Sequence, residues 1–222
     1  MKKSILSLLI ILTSISCKQN KENQTEIINK TVAEKIADAN GFNNWRNVSK
    51  IEFTFNVDRD SSHFERSWSW KPKTDDVILI SGKDTISYNR HSVDSLSLSA
   101  DKSFINDKYW LLAPFQLMWD KSATISDAIT EKALISKTVL NKITLTYPNE
   151  GGYTPGDAYD FYFGDDYLIK EWGYRKENSK TPSLISTWEN YQDFNGIKIG
   201  LNHKKPEGNW MLYFTNVKVE QN

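Results

Sequence analysis

Along Ile51–Val57 apolar and polar positions alternate one for one. Ile51, Phe53, Phe55 and Val57 share one face; Glu52, Thr54 and Asn56 share the other. A period of two is the mark of a strand with unlike faces. After a polar turn at Asp58–Ser62 the pattern resumes, with Phe64, Arg66, Trp68 and Trp70 on one side and Glu65, Ser67, Ser69 and Lys71 on the other. Arg66 stands among apolar neighbours. Two readings remain open for it: a place near the sheet rim with its head in water, or a guanidinium that bonds carbonyls of a covering loop or an acyl ester. Val77–Ile80 is a short apolar run, and Ser81-Gly82-Lys83-Asp84 is a hairpin turn into Ile86 and Tyr88. Leu96 and Leu98 predict one more strand, and Lys137–Tyr147 another. Gly151–Leu201 predicts four consecutive antiparallel strands. Tyr159, Phe161 and Phe163 alternate there with Asp160 and Tyr162. Leu168, Lys170, Trp172 and Tyr174 return after Gly164-Asp165-Asp166. Leu184–Tyr191 follows, and Asn195-Gly196 turns into Ile197, Ile199 and Leu201. Trp210–Val219 alternates as a last strand, its parity slipping near Thr215-Asn216.

Three stretches break the two-residue period. Thr31-Val32-Ala33-Glu34 fits a capping box. Val32, Ile36 and Ala39 recur at helical spacing, and Asn40-Gly41 is a stop. A short helix over Thr31–Ala39 is therefore expected, followed by Phe42, Trp45 and Val48 as anchors. Asp101–Lys121 crowds Trp110, Leu111, Leu112, Phe115, Leu117, Met118 and Trp119 together. Pro114 fits only the first turn of a helix, so two short helices breaking near Ala113-Pro114 are predicted. A second helical patch is expected over Ser126–Leu134. The fold class predicted is mainly β (α+β): a curved antiparallel sheet with short helices over its concave aromatic face. Any space left beneath that cover has as its candidate lining Phe53, Phe55, Arg66, Trp68, Trp70, Leu112, Phe115, Met118, Tyr159, Phe161, Trp172 and Trp188.

The chain has 222 residues, which suits one domain. At 39% hydrophobic and 25% charged it can bury a core. Lysine plus arginine equals aspartate plus glutamate, 28 each, and no basic run carries interleaved aromatics. Nothing in the charge therefore argues for nucleic acid. Met1-Lys2-Lys3 followed by the apolar Ile5–Ile15 is a signal peptide, too short to span a bilayer. It ends in Ser14-Ile15-Ser16-Cys17, small residues before a cysteine that resemble a bacterial lipobox; ordinary signal-peptidase cleavage, which Ser14 and Ser16 would also serve, is the other reading. Cys17 is the one cysteine in the chain and can form no internal disulfide. We therefore expect it to carry acyl chains such as palmitate at the mature N-terminus. Lys18–Gln24 is a polar tether. Residues 1–16 are thus read as leader, 17–30 as lipidated cysteine and tether, and 31–222 as a single domain. Lys18 directly after the cysteine, where aspartate would retain a lipoprotein, resembles the rule for outer-membrane sorting.

Motifs of enzyme chemistry are absent from the sequence: no HExxH, GxSxG, CxxC, phosphate loop or GxGxxG. His63, His91 and His203 are far apart in polar surroundings, so no metal site is expected. Asp157, Asp160, Asp165 and Asp166 fit no EF-hand spacing and are expected to be solvated turn residues. Gly151–Asp157 is read as a turn, since no helix follows it to hold an anion. The expectation is a protein that is not an enzyme and uses no cofactor.

Several of these stretches together resemble a known family: the helix ending Asn40-Gly41-Phe42 with Trp45 nearby, the aromatic strands Ile51–Val57 and Phe64–Trp70, the Leu112–Trp119 patch, the GGYTPGDAY turn into DFYF and YLIKEWGYR, and YQDFNGIKIGL. Over roughly Val32 to Val219 the chain is similar to outer-membrane lipoprotein-sorting proteins of the Lol-type carrier superfamily, in particular its Bacteroidetes-type lipoprotein members. The resemblance implies an incomplete antiparallel β-barrel closed on one side by helices, with an apolar cavity for acyl chains. Carriers of that family are soluble in the periplasm and receptors are anchored; Cys17 matches the anchored type. The receptor's protruding apolar loop has no counterpart here, and no individual acyl-binding residue is carried over. The function expected first is a non-enzymatic cell-envelope lipoprotein that holds a lipid or lipoprotein acyl chain in a half-barrel and meets the membrane through its anchor. The alternative is a carbohydrate-binding or glycan-acting lipoprotein using exposed members of its eight tryptophans. A third reading makes the helical patch nothing but core. Inward Trp68, Trp70 and Trp172 favour the first; an exposed planar row favours the second.

Overall fold

The computed structural model describes residues 30–150 and 154–222. Cys17, the leader and most of the tether fall outside the described residues, as does Gly151-Gly152-Tyr153. In chain order the elements are α1 (Val32–Ala39), β1 (Val48–Arg59), β2 (Ser62–Lys71), β3 (Asp76–Ser81), β4 (Asp84–Asn89), α2 (Leu98–Trp119), β5 (Thr124–Ile125), β6 (Ile129–Lys132), β7 (Val139–Thr146), β8 (Ala158–Phe163), β9 (Ile169–Arg175), β10 (Leu184–Thr187), β11 (Glu189–Phe194), β12 (Ile197–Lys204) and β13 (Met211–Gln221). They form two antiparallel sheets that do not close into a barrel. One has the order β11-β12-β13-β1-β2-β3-β4; the other runs β10-β9-β8-β7-β5, with β6 also paired to β7. The fold is mainly β, as predicted.

The alternation of Ile51–Val57 places its apolar face inward, and β1 is the centre of the larger sheet. Ile51, Phe53 and Phe55 lie opposite Trp70, Trp68 and Arg66 of β2. On the other side the last strand closes the sheet: Phe55 pairs with Phe214 and Ile51 with Val219. The parity slip at Thr215-Asn216 is a bulge. The register shifts between Glu52 and Thr54, and Asn216 takes a left-handed backbone angle, φ 53°. Its amide donates to Thr54 Oγ1 at 3.2 Å, which fixes the extra residue in place.

The capping box at Thr31 and Glu34 forms as the sequence predicts. The buried stripe of α1 is Ala33, Ile36 and Ala37; of the expected Val32, Ile36 and Ala39, Ile36 is buried and the other two are half-buried. Gly41 then meets the Asn195-Gly196 hairpin so closely that a Cβ on Gly41 would stand 1.9 Å from the Gly196 carbonyl. Asn44 Nδ2 donates to that same carbonyl at 3.0 Å, and the Lys198 amide donates to the Asn40 carbonyl at 3.0 Å. Gly41 also adopts φ 88°, which suits glycine.

Four expectations are corrected. Leu96 and Leu98 make no strand: Leu96 is 83% exposed in a turn, and Leu98 opens α2. Asp94 bonds the Leu96 and Ser97 amides there, a local network that stops extended pairing. The stretch Ser126–Leu134 is not helical. It holds the short strand β6 and a loop whose Ile135 and Ser136 amides donate to the buried Glu171 carboxylate at 2.6 and 2.9 Å. Gly151–Leu201 does not make four strands of one sheet. Trp188 divides the third into β10, paired with β9, and β11, paired with β12, so the chain steps there from the smaller sheet to the larger. Asp157 and Asp160 are buried and paired rather than solvated. Asp157 accepts from Tyr174 Oη at 2.8 Å, and Asp160 from Arg175 Nε at 2.9 Å.

The predicted pair of short helices is one longer helix with a fault. α2 spans 22 residues, and Leu112 departs from helical angles two residues before Pro114. Proline removes an N–H and clashes with the carbonyl four residues back, so the break falls on the N-terminal side of the ring. Every residue from Trp110 to Leu117 is buried, as a helix apolar all round must be. One side meets the larger sheet, where Phe104 packs edge-to-face on Trp68 and Trp70, centroids 5.3 Å apart in each case. The other side meets the smaller sheet, where Trp110 lies 4.4 Å from Trp172.

A tyrosine-lined cleft between the central helix and the smaller sheet

The larger sheet's concave face is filled. Phe53, Phe55, Trp68 and Trp70 pack with Phe104, Leu111, Leu112 and Phe115 in one buried cluster. Arg66 bonds neither a loop carbonyl nor open water in the way foreseen. Its Nε and Nη2 donate to the Asp107 carboxylate of α2, both at 2.6 Å, and Trp68 Nε1 adds a third donor to that carboxylate at 2.7 Å. Burial pushes the Asp107 carboxyl above its ordinary value, while Arg66, Asn106 and Trp68 pull it back.

The open space lies on the opposite side of α2. A cleft of about 980 Å³ runs between the helix and the smaller sheet. Helical spacing sends Ile105, Asn106, Tyr109 and Gln116 into it. β8 supplies Tyr159, β9 supplies Trp172 and Tyr174, and Leu184 and Tyr147 complete the aromatic and apolar lining. Tyr159 and Tyr174 are cross-strand partners, so their rings share a face. Their centroids are 5.2 Å apart, and Tyr109 comes down on Tyr159 at 4.7 Å. Burial raises the pKa of Tyr147 and of Tyr174 to about 12, and of Tyr109 and Tyr159 further, so all four hydroxyls stay protonated near neutrality. The Tyr109 hydroxyl is buried without a hydrogen bond of good geometry, and so is Trp172 Nε1.

Charged side chains also line the cleft: Arg90, Lys102, Lys108, Asp120 and Glu150. Arg90 is engaged by Asp101 at 3.0 Å and Asp75 at 3.8 Å. Lys108 is buried, its ammonium over the rings of Trp70 and Trp119 at 5.7 and 5.2 Å. Burial, with the nearby Arg90, lowers its pKa to about 8.

Of the predicted lining residues, Tyr159 and Trp172 border this cleft, though at 6% and 2% exposure they too belong to the buried cluster. Phe53, Phe55, Arg66, Trp68, Trp70, Leu112, Phe115, Phe161 and Trp188 lie in or beside the packed interior, and Met118 is half-buried near the end of α2. Tyr109, Tyr147, Tyr174 and Lys108 were missed. Read at helical spacing, Ile105, Asn106, Tyr109 and Gln116 form a mixed stripe along α2, and that is the signal that could have found Tyr109. None of the eight tryptophans is exposed, so there is no planar row on the surface. His203 is not in polar surroundings: it is fully buried, with Trp188 at 4.5 Å and Trp110 at 5.2 Å. Among the described residues no cluster of histidine, cysteine, aspartate and glutamate could hold a metal ion, and no helix is long and apolar enough to cross a membrane.

No protein-family model matches the chain, and no curated protein does. Among solved structures it is similar to a DUF1329 family protein from Desulfovibrio piger ATCC 29098, whose crystal structure was determined at 1.75 Å resolution. The two chains are 10% identical with a TM-score of 0.48, over 85% of this chain and 90% of that one.

Proposed function

We propose that this chain is a non-enzymatic cell-envelope lipoprotein, anchored to the outer membrane through Cys17, whose cleft between α2 and the smaller sheet binds a single apolar or amphipathic molecule. The observation that carries the reading is the cleft itself: about 980 Å³ walled by Tyr109, Tyr147, Tyr159, Trp172 and Tyr174 beside an interior packed on its other side. Ligand sites are commonly about 300–1,000 Å³, aromatic, and set with a few fixed polar groups. Each methylene withdrawn from water contributes about 0.8 kcal/mol, so one acyl chain supplies a useful affinity. The ligand therefore sits on the far side of the helix from the hollow the strand pattern suggested.

The test is extraction of the purified protein and mass spectrometry of what it carries. Wild type is expected to yield a bound lipid or amphiphile, and Leu184→Trp, which fills the cleft wall, to yield several-fold less while keeping its fold. A protein that comes out empty and ignores added amphiphiles sinks the reading; retention of a soluble glycan instead returns the chain to the carbohydrate alternative. Mass spectrometry of the mature N-terminus tests the anchor separately, an unmodified terminus ending it.

A further inference from the structure

The cleft is lined by both aromatic and charged side chains, and one of the charged ones has surroundings that ask for something. Lys108 is 9% exposed, lines the cleft, and among the described residues accepts no ion-pair or hydrogen-bond partner for its three N–H donors. Two tryptophan faces flank it. The other charges around it have contacts of their own or are exposed. Arg90, from the turn after β4, is held by Asp101 and Asp75. Asp120, at the end of α2, accepts from the amide and hydroxyl of Ser122 at 3.0 and 2.6 Å. Lys102 and Glu150 are exposed, and Tyr109 and Tyr147 are neutral phenols. Desolvation, then Arg90, act against the ammonium; Asp75, Asp101 and Asp120 offset this only in part, and none of them bonds it.

We propose that Lys108 is the head-group contact of the cleft, so that its ligand is a single-chain amphiphile with an anionic oxygen head, a carboxylate or a phosphate, whose chain lies along Tyr109, Tyr159 and Trp172. This rests on reading the cleft as the ligand site. An oxyanion there would meet the unpartnered donors and restore the charge that burial disfavours. The aromatic wall gives the chain its burial and the lysine gives it polarity, which sets the head at Lys108 and the tail along the rings.

Proton linkage supplies a readout that needs no variant. In the empty cleft Lys108 releases its proton near pH 8, so above that pH an anion must bind together with a proton. Affinity for decanoate is expected to be flat from pH 6.5 to 7.5 and to fall roughly 10- to 30-fold by pH 9.5. The tyrosines of the wall do not titrate in that window. Decanoate, decyl phosphate and decanamide are the probes, followed by tryptophan fluorescence or calorimetry on the whole mature domain, with acetate and inorganic phosphate as chain-free controls. The expected result is that both anionic chains bind, decanamide binds at least 10-fold more weakly, the chain-free ions do not bind, and Lys108→Gln removes both the preference and the pH dependence. The ratio of decanoate to decyl phosphate tells carboxylate from phosphate. Equal binding of all three chains, unchanged in Lys108→Gln and flat with pH, overturns the head-group assignment and leaves the cleft as a chain site. Failure of every chain to bind overturns the cleft reading as well. Since Lys108→Gln removes a buried charge, its circular dichroism is expected to match wild type.

Discussion

At the scale of single residues, the interior sets its own terms for the charged and titratable groups it contains. His203 is sealed among aromatic rings, and desolvation lowers its pKa to about 3. Its Nδ1 lies 3.3 Å from the Thr187 carbonyl, so Nδ1 donates and Nε2 is left a bare acceptor. The folded protein thus holds His203 neutral while the unfolded chain takes up a proton near pH 6.5. The histidine's contribution is fully present above pH 6.5 and is lost as the pH falls toward 3. Between pH 7.5 and 4.5 it is expected to cost the wild type about 2–3 kcal/mol, and urea titrations of His203→Gln should show a shallower acid decline. An equal slope would mean that other groups govern acid sensitivity. Asp107 is the second case. Four donors converge on it, from Arg66, Trp68 and Asn106. Asp107→Ala strands a half-sheltered guanidinium and a buried indole N–H, and a loss of about 3 kcal/mol is expected by denaturant titration.

At the scale of elements, two joints decide how the sheets meet the helices. The first is the contact of Gly41 with Gly196. A methyl group at position 41 would overlap the Gly196 carbonyl and force an L side chain to φ 88°. Gly41→Ala is expected to cost about 3 kcal/mol, read as a fall in thermal midpoint of several degrees. The second is the C-terminal half of α2. Leu117 is buried between the layers, and Leu117→Asp places a carboxylate there without a partner, so loss of cooperative folding by circular dichroism is expected. That outcome assigns this half of the helix to the core. It leaves the cleft untouched as a question, since Leu117 does not line it. The local signals of these elements were legible in the chain: the capping box at Thr31, the Asn195-Gly196 turn, and the parity slip that is a bulge at Asn216. Each is written in a few adjacent residues and needs no distant partner. The stretches at Leu96–Leu98 and Ser126–Leu134 were misread because their conformation is set from elsewhere, by the Asp94 turn in one case and by the Glu171 carboxylate in the other.

At the scale of the molecule, the chain builds the first half of the larger sheet, crosses through α2 to build the smaller one, and returns at Trp188 to complete the first. β13 ends up between β12 and β1, so the last strand is structural centre and not edge. A chain ending before Met211 leaves facing edges of β1 and β12 unpaired and is expected to be insoluble or unfolded, which expression and circular dichroism can check. The sequence by itself determined the alternation that makes strands and the aromatic richness that makes a core, because these depend on residue type and spacing within one segment. It also named Tyr159 and Trp172, which alternate inward in strands of clear period. Only the tertiary structure decided which side of α2 is packed and which is open. That depends on how a helix apolar nearly all round divides its surface between two sheets, a matter of volumes meeting across more than forty residues of chain between Arg66 and Asp107 or between Lys108 and Tyr159. Periodicity reports that a face is apolar; it carries no information on whether the opposing side chains are large enough to fill the gap.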